Sequence, residues 1–277
     1  MKYIDIHGHV NFPVYDPDRA EVIKRCDEND IGLINVGTDF ETSYSAVELA
    51  KKYSNMWAII GLHPVHAGES HNDPTETGLN ENKQIGPKSF QVFDSDKFLP
   101  LAKDSKVVAI GECGLDYFHS RPEDIDKQKK ELEKQIDFAN RVNKPLMLHV
   151  RNAKTGPSAY MEVVGMLRAR ANVKANFHFF AGDIEDLKNI LDIGGTVSFT
   201  GVITFARNYD ELIKYVPIDR IMSETDCPFV APAPYRGKRN EPSYVVEVVK
   251  TVAKIRGENE DVVAKQLVQN AKDFFSI

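Results

Sequence analysis

Short apolar runs and longer amphipathic stretches alternate along the whole chain. Short apolar runs are typical of strands that are buried on both faces, and apolar positions that recur every three to four residues are typical of helices. The apolar runs predict strands at 2–7, 32–37, 56–61, 106–111, 145–150, 173–178, 195–199 and 219–224. The amphipathic stretches predict helices at 18–29, 41–53, 95–104, 123–143, 157–170, 183–192, 208–215, 242–256 and 259–275.

The order of these elements, with each strand followed by a helix, indicates the fold class. Eight such units favour an α/β fold with a closed (β/α)8 TIM-type barrel over an open doubly wound sheet, and the last helix is an additional C-terminal one. No G-x-G-x-x-G or G-x-x-x-x-G-K-[ST] motif occurs, which weakens the nucleotide-binding alternative. Barrels of this length are often one domain, so residues 1–277 are expected to form a single barrel.

One segment, residues 66–93, interrupts the regular alternation. It is rich in Gly, Asn, Pro and Thr and lacks strong periodicity. A loop of this length inside a compact domain is usually either functional or disordered. Because the segment follows the third predicted strand, we expect a long loop insertion on the same barrel face as an active site.

Composition and charge narrow the function classes. The hydrophobic fraction of 42% and the charged fraction of 27% are ordinary for a globular protein, and no apolar run is long enough to span a membrane. The net charge of −6 means that any nucleic-acid role has to rest on local basic residues and bound metal. Three distant cysteines give no disulfide framework, and the N-terminus lacks a signal-peptide pattern. We expect a cytoplasmic protein without a membrane partner or an obligate protein partner.

Side chains that can bind a metal collect at the ends of the predicted strands. The stretch IDIHGHV ends the first strand with two histidines one residue apart, and side chains at i and i+2 of a strand share a face. The C-terminal ends of barrel strands meet at one mouth, where active sites are found. The residues that this mouth would gather are His7, His9, His63, Glu112, His149, His178 and Asp226.

A metal centre explains this placement better than purely structural roles do. A single buried histidine is usually a hydrogen-bonded core or surface group, but such histidines have no reason to collect at strand ends. The carboxylates of Glu112 and Asp226 also end apolar strands, where unpaired charge is costly. Four imidazoles and two carboxylates exceed what one ion needs and suit two divalent ions bridged by a carboxylate. Zn, Mn and Mg all stay open as the metal.

Basic and aromatic residues near the predicted mouth are candidates for contacts to an anionic substrate. Arg151 follows the fifth predicted strand, where it can clamp a phosphate or pair with a surface carboxylate. The segment 234–242 adds clustered basic residues after the last strand, which either contact the substrate or are simply solvated. Phe179, Phe180 and Tyr235 can stack on bases, although core packing is the commoner role of such residues.

The motifs at these positions match a known family. The strings DIHGH, GLHP, AIGECGLDY, LHVRNA, HFFAG, SETDCP and PYRGKRNEP occur in this order along the chain. Together they resemble the TatD-type metal-dependent hydrolases, a deoxyribonuclease family within the amidohydrolase-like superfamily. The resemblance runs from residue 2 to about residue 275.

The resemblance implies a centre of two divalent metal ions and a role for each matching residue. Glu112 would bridge the ions, at the position where related amidohydrolases use a carboxylated lysine. As a ligand of one ion, Asp226 is our candidate for the general base. His63, Arg151 and Glu224 would line the substrate side, with Asp116 and Tyr117 nearby. The implied ligands are His7, His9, Glu112 and Asp226 for one ion, and Glu112, His149 and His178 for the other.

The activity implied by the resemblance is hydrolysis of phosphodiesters, with DNA or another phosphodiester as the substrate. Exonuclease and endonuclease action both stay open. One alternative is an enzyme of the same superfamily that acts on an amide, ester or lactone. A second alternative is a barrel that only binds an anion or a nucleic acid, and the complete ligand set disfavours it because simple binding needs no activated water.

Overall fold

The computed structural model describes residues 1–68 and 90–277, and its central element is a parallel sheet that curves into a barrel. Eight strands pair in chain order, and every neighbouring pair is parallel. The strands are β1 Tyr3–Gly8, β2 Ile31–Val36, β3 Met56–Ile60, β4 Val107–Asp116, β5 Leu146–Arg151, β6 Ala175–Phe177, β7 Thr196–Phe199 and β8 Ile221–Ser223. Within residues 1–68 and 90–277, no helix is long and apolar enough to cross a membrane.

Backbone hydrogen bonds next to β1 and β8 join the two edges of the sheet. The N–H of Asp226 donates to the carbonyl of His7 at 2.8 Å, and the N–H of His9 donates to the carbonyl of Cys227 at 2.8 Å. Gly8 and Cys227 also form an isolated parallel bridge. These contacts cover the strand edges and bring the candidate ligands of the first and last strands together.

Helices connect the strands and surround the barrel. Side chains cap several of them: Asp39 and Thr42 form a reciprocal capping box at the second helix, and Asn259 accepts the N–H of Val262 at the last one. The helices are α1 Arg19–Glu28, α2 Phe40–Ala50, α3 Ser95–Ala102, α4 Ile125–Val142, α5 Ala159–Arg170, α6 Ile184–Asp192, α7 Asp210–Tyr215, α8 Val245–Arg256 and α9 Glu260–Phe275. The predicted (β/α)8 barrel with an additional C-terminal helix is confirmed, because α8 and α9 both follow β8.

Apolar side chains fill the end of the barrel at which the strands begin. Ile4, Ile34 and Met222 belong to the same buried cluster as Phe274 and Phe275 of α9. A second and larger apolar cluster includes side chains of the strands and of the surrounding helices. Polar side chains are therefore concentrated at the opposite end, where the strands terminate and the barrel mouth lies.

Strand β4 is longer than the apolar pattern predicts. The apolar run ends at residue 111, but the strand continues to Asp116 because its second half pairs with β5, with Asp116 beside Arg151. The extension places Glu112 within the strand instead of just beyond its end.

The predicted loop insertion at 66–93 falls mainly on residues 69–89, which lie outside the described part of the chain, so it stays a prediction. Before it, Pro64–Ala67 form a short 3-10 helix after β3. After it, Phe93 is buried with its ring stacked on Phe98 of α3 at 4.6 Å. Phe93 therefore belongs to the apolar core.

Candidate metal centre

Glu112 lies at the centre of a cluster of imidazoles at the barrel mouth. Its Oε1 is 2.7 Å from Nε2 of His178 and 2.9 Å from Nδ1 of His149. The same oxygen is 3.3 Å from Nε2 of His63. The other oxygen, Oε2, is 3.2 Å from Nε2 of His7. The buried carboxylate therefore contacts side chains from the ends of β1, β3, β5 and β6.

Two glycines explain how β4 brings Glu112 into this cluster. Gly111 and Gly114 have φ angles of +150° and +149°, which residues with a Cβ rarely adopt. A Cβ on Gly111 would lie 2.3 Å from the carbonyl oxygen of Met147, and a Cβ on Gly114 would lie 1.8 Å from that of His149. Glycine at both positions lets β4 approach β5 closely on either side of Glu112.

His9 and Asp226 form the part of the cluster between β1 and β8. Nδ1 of His9 is 2.9 Å from the carbonyl oxygen of Val36, which can only accept, so Nδ1 carries the proton in the neutral ring. In that form Nε2 is an acceptor that faces Oδ1 of Asp226 at 3.5 Å. Burial alone would lower the pKa of His9, but the carboxylates of Asp226 and Glu112 raise it, so a positive charge is favoured at this position. A cation stabilises two acceptors that face each other in this way, so this donor set fits a divalent metal ion.

His7 gives a second indication that the residues fit a metal ion. The ring is fully buried, and neither nitrogen makes a hydrogen bond to any described residue, although Nε2 lies close to Oε2 of Glu112. Burial, together with the His178 ring stacked at 3.9 Å, lowers the pKa of His7 to about 4. A neutral imidazole with an unused lone pair is the form of histidine that ligates metals.

Contacts within the cluster set its charges. Burial alone would raise the pKa of Glu112, but the His178 and His63 rings hold that pKa well below its usual range, so the carboxylate is ionised. Burial alone would lower the pKa of His149, but its hydrogen bonds with Asp116 and Glu112 raise that pKa to about 9. Metal binding at His149 would therefore release a proton.

The ligand atoms of these side chains lie close enough together to share metal ions. Among the residues that the structure describes, three sets have ligand atoms that all lie within 4.8 Å of one another. The sets are His7, His9 and Asp226; His7, His178 and Glu224; and His63, Glu112 and His149. The structure thus brings all of the predicted metal ligands into one cluster.

Glu224 lies behind His178 and not on the substrate side, where the sequence motif placed it. Its side chain is fully buried, with Oε1 3.5 Å from Nδ1 of His178. It accepts hydrogen bonds from the N–H of Phe179 and from the hydroxyl of Ser198, the latter at 2.8 Å. A buried carboxylate with these partners has no free face for a substrate. It orients the His178 ring and increases its basicity.

Asp116 holds His149 from behind in a similar way. Its Oδ2 is 3.0 Å from Nε2 of His149 and 2.7 Å from Nδ1 of His119. Its Oδ1 accepts the N–H groups of Phe118 and His119. The sequence motif placed Asp116 only near the site. The even spacing between Glu112 and Asp116 in one strand is the sequence signal that could have assigned both to the same face.

His63 and Arg151, the other predicted substrate contacts, lie at the mouth. Nδ1 of His63 accepts the N–H of Val65 at 3.3 Å, so Nε2 carries the proton in the neutral ring and points to Glu112. Burial lowers the pKa of His63, which keeps the ring neutral. Arg151 ends β5 and makes no ion pair with any residue in 1–68 or 90–277, so its guanidinium can bind an anion.

Other basic and aromatic candidates are engaged with the protein itself. Arg239, in the basic segment after β8, pairs with Asp18 at 2.6 Å. Phe180 is fully buried in the core. Tyr235 stacks on Tyr244 with ring centroids 3.8 Å apart. The structure therefore does not support these three side chains as substrate contacts.

Comparison with known proteins assigns the family. A family model described as TatD related DNase matches residues 4–276. The chain belongs to this family. The TatD assignment confirms the resemblance drawn from the sequence motifs.

Full-length relatives of this TatD-family chain occur in several bacteria. It is 36% identical to the Bacillus subtilis protein named uncharacterized metal-dependent hydrolase YabD, over 99% of this chain and 98% of that protein. It is 31% identical to the Pantoea ananatis protein named 3'-5' ssDNA/RNA exonuclease TatD, over 99% of both. These relatives support a metal-dependent hydrolase of the TatD family.

A solved structure confirms the fold. The crystal structure of YJJV, a TatD homolog from Escherichia coli, aligns with a TM-score of 0.83 and 24% identity. The alignment covers 100% of this chain and 98% of that one. This chain therefore shares its barrel fold with that TatD homolog.

Proposed function

We propose that this protein is a two-metal hydrolase that cleaves phosphodiester bonds in DNA. The observation that carries the proposal is that each carboxylate oxygen of Glu112 faces a different pair of imidazoles. Oε1 faces the imidazoles of His149 and His178 at 2.9 Å and 2.7 Å. Oε2 faces those of His7 and His9 at 3.2 Å and 3.9 Å. A carboxylate that offers one oxygen to each of two imidazole pairs suits a bridge between two cations.

The remaining ligands divide between the two cations according to these pairs. His7, His9 and Asp226 would hold one cation, and His149 and His178 would hold the other, with Glu112 shared. Nitrogen and carboxylate donors suit Zn and Mn, and Mg is compatible with more water ligands. When bound, the two cations supply Lewis acidity and make water acidic enough to be deprotonated at neutral pH.

Protein side chains supply proton transfer and neutralise charge. Asp226 acts as the general base that accepts the proton of the attacking water. It suits this role better than Glu112, because 13% of its side chain is accessible at the mouth against 5% for Glu112. Arg151 pairs with the phosphoryl oxygens as charge develops on them, and His63 lines the substrate side of the mouth with its Nε2–H directed toward Glu112.

Single-stranded nucleic acid is the substrate class that the comparisons favour. The relative from Pantoea ananatis is named for action on ssDNA and RNA. With a net charge of −6, this chain does not attract nucleic acid by its overall charge. Binding therefore depends on the metals and on local cations at the mouth.

A metal titration against a panel of substrates tests the proposed function. The protein is stripped with a chelator, resupplied with Zn, Mn or Mg, and offered single-stranded DNA, duplex DNA, RNA, esters and lactones. We expect DNA cleavage only after metal is restored. Cleavage that survives exhaustive chelation contradicts the metal dependence. Hydrolysis of an ester or lactone with DNA left intact favours the amidohydrolase alternative, and a failure to bind any metal favours the non-catalytic barrel.

Changing Glu224 to glutamine is expected to weaken metal binding about 10- to 100-fold. Glutamine keeps the size of the side chain but removes the charge that lies 3.5 Å from Nδ1 of His178, so the ring loses basicity. Calorimetric titration of metal into stripped protein measures the affinity. Glu185→Gln makes the same change on a side chain of α6 that is 68% exposed and is expected to bind like the wild type. Equal affinities of the two variants would remove Glu224 from any role at the centre.

A further inference from the structure

We propose that Phe118 is a stacking platform for a base of single-stranded nucleic acid, with Arg151 and Lys154 beside it as contacts for the phosphates. We call these three residues the stacking site. They follow or end β4 and β5 at the barrel mouth. The inference rests on the proposed phosphodiester substrate, and it adds the part of the protein that holds the strand beside the cleaved bond.

The Phe118 ring is available to a ligand because the protein itself does not bury it. Its exposed fraction is 45%, whereas the preceding Tyr117 is buried. The Tyr117 hydroxyl donates to Glu162 of α5, so that side chain is directed toward the helices. The Phe118 ring lies near cations of the β5 end instead. An exposed phenylalanine at an active-site mouth gains stabilisation when a ligand covers it.

The turn that carries Phe118 is fixed to the metal centre by one carboxylate. Oδ1 of Asp116 accepts the N–H of Phe118 at 2.9 Å and the N–H of His119 at 2.8 Å. Oδ2 of the same side chain contacts Nε2 of His149 at 3.0 Å. The backbone of the platform is therefore two hydrogen bonds away from a candidate metal ligand. A platform held in this way is preorganised, so little ordering is required when a strand binds.

Two cations lie over the ring, and the His119 ring meets it edge-on with ring centroids 4.8 Å apart. The guanidinium carbon of Arg151 is 5.5 Å from the ring centroid, and Nζ of Lys154 is 5.9 Å from it. Both distances are within the range of cation–π contacts. Neither cation forms an ion pair within the described part of the chain, whereas Arg25 and Arg239 are both paired with carboxylates. Arg151 and Lys154 thus keep their charge available for phosphates.

The chemistry of the stacking site selects a single strand. A base can stack on a protein ring only when its face is not already covered by a neighbouring base pair. Every base has a π-face, and phosphates repeat along the nucleic-acid strand. We therefore expect binding at the stacking site to require a base but not to depend on which base it is. Duplex DNA does not offer its bases in this way.

A comparison of two chains of equal length tests the platform. One is an oligothymidylate, and the other carries the same phosphates on abasic sugars. With metal supplied, the wild type is expected to have the lower KM for oligothymidylate. In Phe118→Ala the ratio of the KM for the abasic chain to the KM for oligothymidylate is expected to fall at least about fivefold, because stacking is typically worth about 1–3 kcal/mol per base. Phe118→Trp is expected to restore it.

Tyr215→Ala is the matched control, because Tyr215 is 50% exposed and ends α7 on the opposite side of the barrel from the mouth. It is expected to keep the wild-type preference. An unchanged preference in Phe118→Ala, in an enzyme that cleaves DNA, overturns the platform and leaves the proposed function intact. If the wild type cleaves neither chain with any metal, it is the proposed function that fails.

The salt dependence tests the phosphate contact separately. Each phosphate contact to a single strand contributes about 0.7 to the slope of log affinity against log salt concentration. Lys154→Gln is therefore expected to reduce the slope of log KM for oligothymidylate by about 0.7. An unchanged slope contradicts the contact between Lys154 and phosphate.

Discussion

Replacing Glu112 with glutamine is expected to lower kcat/KM for phosphodiester hydrolysis by at least about 1,000-fold. A carboxylate that only orients a metal ligand typically contributes about 10- to 100-fold, and Glu112 is in direct contact with both imidazole pairs. Glutamine keeps the size of the side chain but removes the negative charge. One of its two terminal atoms becomes an NH2 group, which cannot ligate a cation. The variant is therefore expected to lose the bridge.

Steady-state rates at saturating metal test this prediction, together with elemental analysis of dialysed protein. The wild type is expected to retain about two ions per chain and the variant fewer. Glu185→Gln, on the exposed surface of α6, controls for the loss of one carboxylate and is expected to match the wild type in both measurements. Wild-type turnover by Glu112→Gln would show that the bridge is misassigned. An undiminished metal content would remove Glu112 from the ligands.

The convergence of the candidate ligands could be predicted from the sequence because it depends only on the order of the elements. A parallel barrel directs the C-terminal end of every strand to the same mouth. His7 and His149 lie within the last residues of β1 and β5, and His178 directly follows β6. Recognising the apolar runs and the polar residue after each run is sufficient for this inference.

The direction of side chains beyond a strand end could not be predicted from spacing. Glu224 and Asp226 are two residues apart, a spacing that places both on one face of a regular strand. However, β8 ends at Ser223, and Asp226 has a left-handed backbone with a φ of 55°. The alternation therefore stops, and Glu224 faces His178 whereas Asp226 faces His9.

Contacts between distant parts of the chain also could not be predicted from the sequence. The apolar run predicted that the fourth strand ends at residue 111, yet pairing with β5 continues β4 to Asp116. Arg239 belongs to the basic segment that the sequence left open between substrate contact and solvation, but it pairs with Asp18, which lies 221 residues earlier in the chain. No local pattern indicates how far the pairing of β4 with β5 continues or that Asp18 is the partner of Arg239, since both depend on which residues the folded chain brings together.

Gly114→Ala is expected to have the largest effect on stability, lowering the free energy of unfolding by about 3 kcal/mol or more. The new Cβ would lie 1.8 Å from the carbonyl oxygen of His149, and the backbone would keep a φ of +149° that alanine disfavours. Relief of the clash requires β4 and β5 to separate beside Glu112. Metal affinity is therefore expected to fall together with stability. Urea unfolding of the stripped protein measures the first effect, and calorimetric titration measures the second.

Gly165→Ala provides the control with the opposite sign. Gly165 lies inside α5, and a Cβ there would have no atom within 4 Å. Alanine at this position is expected to raise the free energy of unfolding by about 0.5–1 kcal/mol, because it reduces the backbone entropy lost on folding. The same replacement of glycine by alanine is then expected to stabilise α5 and to destabilise β4. Opposite signs would show that the effect at Gly114 comes from the close approach of β4 to β5 and not from the loss of a glycine as such. An unfolding midpoint of Gly114→Ala equal to that of the wild type would contradict the close approach of β4 to β5. It would also remove the reason why Glu112 and His149 meet.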